Sequence, residues 1–272
     1  MDLAQNIPMQ EPDAAKARQP GNSLSRMLSI LELYNERNSV CSAEDVAKII
    51  GTSRSTSYRY FKMLSEAGLL CPLGREGYIL GPAIIELDRL IRFQDPLTTI
   101  ASPIMKQLAK QTQATVLLAR FYREKVVCTH KEAAGVELDV AYERGRPMSL
   151  FLSATSKAIL AHLPARQKRR LFDNAEQTIS EAGQGDDWPS FRRRMREIRK
   201  AGYCTSVGEV DPGLAGIAAP IFNQNDVVEG SLTMVFTTEK IQEFDQSYLI
   251  DLLIGGTRKI MSISAQNLSE SA

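Results

Sequence analysis

Histidine is nearly absent from this chain, tryptophan occurs once, and the only cysteines are Cys41, Cys71, Cys128 and Cys204. No two of these cysteines stand at zinc-ligand or redox-motif spacing, so all four read as reduced structural thiols. A histidine-based metal site or a Ser-His-Asp triad would have to use His130 or His162, and no nucleophile motif accompanies either. A glycine-rich phosphate loop is missing as well, since Gly183-Gln184-Gly185 lacks the strand-to-helix context. These scarcities argue against an enzyme, a metal site and a bound cofactor. Long apolar runs are also lacking. Nothing approaches the roughly 18 residues that span a bilayer, and Asp2, Glu11 and Asp13 stand where a signal peptide needs an apolar stretch. The expectation is a cytoplasmic protein with no membrane partner. Nor is one sign of charge in excess: the net charge is +1, and residues 1–80 carry nine Lys or Arg against nine Asp or Glu. Any charge that serves a polyanion must therefore be local.

What is present is an ordinary globular composition, 43% hydrophobic and 24% charged over 272 residues, enough for one small and one medium domain. Residues 1–22 are rich in Gln, Pro, Ala and Asp without apolar period and read as a flexible tail. From Ser23 the pattern changes. Leu24, Met27, Leu28, Leu31 and Tyr34 predict an amphipathic helix to about Asn35. Ser42 is placed to cap a second helix with Glu44 and Asp45 in its first turn and Ala43, Val46, Ala47 and Ile50 on its buried face. Gly51 ends that helix and Ser53 begins a third two residues later. A helix, a tight glycine-containing turn and a helix make a helix-turn-helix. Leu69-Leu70-Cys71 and Tyr78-Ile79-Leu80 flank residues 72–77 as a hairpin, the expected wing.

Wound as a helix, Ser53 to Ala67 places Thr56, Tyr60, Met63, Leu64 and Ala67 on one side, the expected core face. The other side collects Arg54, Ser55, Tyr58, Arg59 and Lys62. Arg can bond O6 and N7 of guanine, hydroxyls reach bases or phosphates, and Lys neutralises phosphate. The candidate DNA-binding set is Arg54, Ser55, Thr56, Tyr58, Arg59 and Lys62, with Arg75 at the hairpin tip. A plain solvated face is the alternative for these residues, and placement after a tight turn and before a hairpin favours DNA.

Pro82 opens a linker helix, residues 82–95, whose apolar residues Ile84, Ile85, Leu87 and Ile91 need a covering surface. Asp95-Pro96 marks the boundary. A helix at about Thr98 to Gln111 follows, then strands at Thr115 to Tyr122, Lys125 to Lys131 and Val136 to Tyr142. Helices at Thr155 to Leu163 and Pro189 to Ala201 precede strands at Tyr203 to Val207, Leu214 to Phe222 and Val227 to Phe236. A closing helix spans Gln242 to Ser264, and residues 265–272 read as a tail. The fold class is α+β: an N-terminal winged helix-turn-helix (23–81), the linker helix, and a C-terminal domain (96–264) with an antiparallel sheet flanked by helices. The basic clusters Lys168-Arg169-Arg170 and Arg192-Arg193-Arg194 read as solvated faces or oligomer contacts, and His130 and His162 as structural.

Ser23-Leu24-Ser25-Arg26, Ala47-Lys48-Ile49-Ile50-Gly51, Ser55-Thr56-Ser57-Tyr58-Arg59 and Leu64-Ser65-Glu66-Ala67-Gly68-Leu69-Leu70 stand in the order and spacing of one family. Tyr78-Ile79-Leu80-Gly81, Ser156-Lys157-Ala158-Ile159-Leu160-Ala161, Ile198-Arg199-Lys200-Ala201-Gly202-Tyr203, Pro212-Gly213-Leu214 and Ile217-Ala218-Ala219-Pro220-Ile221 extend the match. The chain resembles the isocitrate lyase regulator (IclR) family of bacterial transcription factors over about residues 23–264. The resemblance implies a homodimer or homotetramer that binds a double-stranded DNA operator. It also implies a C-terminal domain that binds a small effector, often a carboxylic acid of a catabolic pathway. By the same resemblance Ala154, Thr155, Ser206, Gly216 and Thr233 line the effector pocket, and Ser156 joins them through its hydroxyl at the helix start. Free N–H groups there would seat a carboxylate, although capping alone also accounts for the hydroxyls. Ser206 replaces an acidic residue and Gly216 a cysteine of many relatives, which suggests a roomier, less acidic pocket for an aromatic or longer-chain acid. A metabolite-processing enzyme domain with accessory DNA binding is the alternative, and a winged fold that serves protein contacts only is a third reading.

Overall fold

The computed structural model describes residues 22–135 and 143–269, so the strand expected at Val136 to Tyr142 lies outside the described residues. The chain divides into two compact units, Met1–Gln94 and Asp95–Ala272. In the first, α1 (Ser23–Ser29) starts where the Asn22 side chain accepts the Ser25 N–H, then tightens into a 3-10 turn over Ile30–Leu33. The helix expected to reach Asn35 stops sooner because Asn35 and Asn38 close a turn through reciprocal backbone bonds. Ile30 is fully buried, while Leu24 and Leu28 are exposed. Ser42 caps α2 (Ala43–Ile49), accepting the Asp45 N–H at 3.1 Å, and Gly51 at φ 64° supplies the left-handed residue that turns the chain. Ser53 then caps α3 (Arg54–Glu66).

The hairpin β1 (Leu70–Leu73) and β2 (Gly77–Leu80) pairs antiparallel, and Tyr78 exchanges two 2.9 Å backbone bonds with Cys41. Gly77 permits that approach, since a Cβ there would stand 2.6 Å from the Cys41 carbonyl oxygen. Ile30, Val46, Tyr60, Phe61, Leu64 and Leu70 form the core of this unit. α4 (Ala83–Gln94) follows, and none of its residues is buried.

Asp95 opens the second unit as the cap of α5 (Pro96–Thr112). Its Oδ2 accepts the Thr98 N–H at 3.2 Å and its Oδ1 accepts from Arg120 at 2.9 Å. The next elements are β3 (Thr115–Tyr122), β4 (Lys125–Ala133), β5 (Pro147–Met148), α6 (Ser153–His162), α7 (Ala165–Glu181) and α8 (Trp188–Ala201). β6 (Cys204–Val207), β7 (Leu214–Phe222), β8 (Val228–Thr237), α9 (Thr238–Ile241) and α10 (Gln246–Ser269) complete the chain. The strands form one antiparallel sheet in the order β5-β4-β3-β8-β7-β6. Side chains alternate across it as a period of two requires. Leu117, Ala119, Ala218 and Val235 belong to the core shared with α6 to α8, and Val116, Leu118, Ile217 and Met234 to the core shared with α5 and α10.

Three expectations about the helices change. The closing helix begins at Gln246 rather than Gln242, because α9 occupies 238–241, and it runs to Ser269. The expected tail from 265 is therefore mostly helical: Gln266 and Asn267 have no apolar period, yet no Gly or Pro stops the helix there. Lys168 is not on a solvated face. It is 9% exposed and its Nζ donates to the Ala161 carbonyl at 2.8 Å. Burial, with Arg199 nearby, pushes its ammonium down to about 8. Its neighbours are surface residues as expected, Arg169 lying over the Trp188 ring and paired with Asp173, and Arg170 paired with Glu124. The histidines have structural partners. His130 Nε2 is 2.7 Å from Glu132, and His162 bonds the Ala158 carbonyl while its ring meets Phe222 edge-on.

Candidate functional site

Two groups of residues carry the chemistry, one in each unit. On α3 the buried face is Ser57, Tyr60, Phe61 and Leu64, whereas Met63 and Ala67, expected in the core, are exposed. The helix is turned slightly from the expected orientation because Phe61 packs on Tyr78 of the hairpin, ring centroids 4.4 Å apart. That turn leaves Arg54, Ser55, Tyr58, Arg59 and Lys62 exposed together. Thr56 is half-buried, its hydroxyl 2.8 Å from Ser53 Oγ and its N–H donated to the same oxygen, so it belongs to the cap of α3 as much as to its surface. Arg75 is exposed in the turn between β1 and β2.

Glu44 of α2 had no place in the sequence-based set. It forms an ion pair with Arg54 and accepts the Tyr58 hydroxyl at 2.9 Å, contacts that hold its carboxyl below the usual range, the Tyr58 bond first among them. A carboxylate in the first turn of the preceding helix reads only as a helix-dipole partner, so the sequence carried no signal of this role. Lys62 pairs loosely with Glu66 at 3.8 Å, and Arg59 lies 6.0 Å from the Tyr60 ring. Both partners are local, as in a helix whose cations remain available to an incoming polyanion.

In the second unit a cavity opens between the start of α6 and strands β6, β7 and β8. Ala154, Thr155, Ser206, Gly216 and Thr233, named from the resemblance, all line it. Ser156 does not. Its Oγ is buried without a hydrogen-bond partner, and α6 begins earlier than expected, at Ser153. Thr155 and Thr233 hydroxyls meet at 2.9 Å, and a Cβ on Gly216 would lie 3.3 Å from Ser206 Oγ and 3.8 Å from the Ala154 Cβ. Gly216 is thus the floor of the space.

The N–H groups at the helix start are engaged. Ser153 donates to Glu209 Oε2 at 2.9 Å and Ala154 donates to Ser206 Oγ at 3.0 Å. Ser153 itself holds φ at 69°, a left-handed value rare outside glycine. The other Glu209 oxygen takes a bond of 2.5 Å from Lys157, whose side chain is wholly buried. Glu209 and Asp211 lie on the loop 208–213 between β6 and β7, and both line the cavity. The pocket is therefore not short of acid, as the replacement at Ser206 suggested: Glu209, three residues later, and Asp211 both bring carboxylates to it. Nor is it roomy in this conformation, its volume being about 30 Å³. Lys157 and Glu209 were missed because a lysine inside a helix normally faces solvent and a loop carboxylate has no period to place it.

The sequence matches two models of one family: "IclR helix-turn-helix domain" over residues 23–71 and "Bacterial transcriptional regulator IclR C-terminal" over residues 94–262. The HTH-type transcriptional regulator KdgR of Escherichia coli is 24% identical, over 93% of this chain and 96% of that protein. The IclR family transcriptional regulator from Brucella abortus has a similar fold, with a TM-score of 0.74, 22% identity and coverage of 95% and 96% of the two chains. An IclR homolog from Microbacterium hydrocarbonoxydans, complexed with 4-hydroxybenzoate, aligns with a TM-score of 0.67 at 19% identity over 90% and 99%. A winged helix-turn-helix with an exposed donor face, a sheet domain behind it in sequence, and a family match across both place this chain in the IclR family of bacterial helix-turn-helix transcriptional regulators.

Proposed function

We propose that this regulator is a cytoplasmic one-component switch. Residues 23–81 read a DNA operator as a homodimer or homotetramer, 82–95 form the linker helix, and 96–264 bind a carboxylic acid that changes operator affinity. The observation that carries the reading half is the exposed set Arg54, Ser55, Tyr58, Arg59 and Lys62 on the second helix of the motif, followed by a wing. The sensing half rests on the cavity around Gly216 and on the relative that holds 4-hydroxybenzoate, an aromatic acid of the kind the sequence suggested. Its task is binding rather than turnover, and conversion of a bound acid by the purified protein would overturn that.

The test uses an operator obtained by selection from random duplexes, with affinity read by fluorescence anisotropy. Arg59→Ala should cost on the order of 1 to 3 kcal/mol on the operator and little on scrambled DNA, as loss of a bidentate base contact does. Lys62→Ala should weaken both and lower the salt slope by about one unit. An Arg59→Ala protein with undiminished discrimination at matched salt removes Arg59 from the reading set. A thermal-shift screen of aliphatic and aromatic acids identifies the effector, because a ligand that binds only the folded state raises its stability.

A further inference from the structure

Lys157 is the one fully buried lysine among the described residues, and an ammonium out of water is tolerated only beside a counter-charge. Its counter-charge comes from Glu209, on the irregular loop 208–213, rather than from the sheet or a helix. The Glu209 carboxylate spans two donors, Lys157 Nζ at 2.5 Å and the Ser153 N–H at 2.9 Å. Such a pair of donors, one charged and one at a helix start, is what a free carboxylate would use. Ser153 and Glu209 line the cavity, whose volume of about 30 Å³ is small for an organic acid. The loop is closed at its ends by the Gly208 N–H bonding the Leu214 carbonyl at 2.8 Å and the Gly213 carbonyl accepting from Thr238 N–H at 2.8 Å, and between them the Glu209 side chain ties it to the start of α6.

We propose that Glu209 is a tethered occupant of the carboxylate seat, and that an effector acid enters by exchanging with it over Lys157. One carboxylate replaces another, so Lys157 keeps its counter-charge throughout, and the departing Glu209 carries the 208–213 loop outward and opens the volume the rest of the acid needs. Thr155, Ser206 and Thr233 then supply hydroxyls to the incoming molecule. This rests on the proposed reading of the cavity as the effector site, and it assigns to Glu209 a role as internal competitor that sets both affinity and the requirement for a negative charge.

The experiment removes the tether and returns its carboxylate from solution. Glu209→Ala should melt well below the parent protein, and sodium acetate should restore most of the loss saturably, where chloride at equal ionic strength and acetamide do not. The parent should show no comparable acetate effect, its seat being filled. A Glu209→Ala protein that refolds only in acetate supports the exchange equally. One that does not fold even in acetate, or that responds alike to acetate and acetamide, overturns it. Lys157→Met combined with Glu209→Gln removes both charges and should fold without responding to acetate, and a response retained in that double variant would also overturn the proposal. If acetate rescues Glu209→Ala yet no acid in the screen alters the parent's operator affinity, the assignment of Glu209 as tethered occupant of a carboxylate seat stands, and the effector reading falls together with the exchange that depends on it.

Discussion

Gly216 lends the cavity its space by having no side chain. Because a Cβ there already comes within 3.3 Å of Ser206 Oγ and 3.7 Å of Thr233 Cγ2, Gly216→Leu has no room to leave the cavity open. That variant should lose the thermal shift given by the effector acid while retaining operator affinity. An unchanged shift would place the acid elsewhere. Lys168 presents a different residue-level case, since among the described residues no carboxylate is bonded to it and its pKa falls from an ordinary 10.5 to about 8. Between those values the unfolded chain holds a proton that the folded chain has released, so stability from this group rises with pH across the window from 8 to 10.5. Below pH 8 the buried ammonium costs on the order of 3 kcal/mol at most. Lys168→Met should therefore gain stability over the parent at pH 7, and the gain should shrink as pH approaches 10.5, as read from urea midpoints. A gain independent of pH would mean that packing, not charge, explains it.

Elements differ in how openly the sequence announced them. The strands β3 and β7 were legible to the residue, since each is a predominantly apolar run of strand length, and the caps Ser42 and Ser53 were read from their spacing to the first helical turn. The buried face of α3 was misjudged by part of a turn because Tyr60 and Leu64 are shared by two possible faces, one that adds Met63 and Ala67 and one that adds Ser57 and Phe61. Packing against Ile30, Val46, Leu70 and the Tyr78 ring, residues outside the helix, decides between them. α6 was the least legible: every residue from Ser153 to Ala161 is buried, so its Ser, Thr and Lys do not mark a solvent face, and period analysis fails where all sides are inside. Five of the cavity residues came from the resemblance, whereas Glu209 and Asp211, which bring charge to it, and Lys157, which pairs with Glu209, were not singled out as site residues. A cap such as Asp95 is an element-level device with a measurable weight. Asp95→Ala removes the acceptor of the Thr98 N–H and strips Arg120 of its nearer carboxylate, leaving Glu229 at 3.7 Å. The loss should be about 1 to 2 kcal/mol for the cap alone, measured by denaturation, and a loss below that range would mean α5 starts as well without it.

For the molecule as a whole, α4 poses the question of assembly. None of its residues is buried, and Ile85 and Phe93 are 74% and 71% exposed beside Leu87, Leu90 and Ile91. A helix this apolar is rarely left to solvent, and one recognition helix reads only a few base pairs. The protein should sediment as a dimer or larger at micromolar concentration and protect two half-sites, and Ile85→Asp with Phe93→Asp should yield monomers that bind a single half-site weakly. A parent protein that sediments as a monomer and still binds one half-site specifically would end that expectation. The junction between the units has a practical consequence of its own. Asp95, first residue of the second unit, is joined through Arg120 of β3 toward Glu229 of β8. Anyone grafting a foreign DNA-reading unit onto this sensor should splice between Gln94 and Asp95. A seam one residue later would discard an aspartate that belongs to the sensor's own foundation, and the hybrid would inherit a loosened sheet for reasons unrelated to the graft.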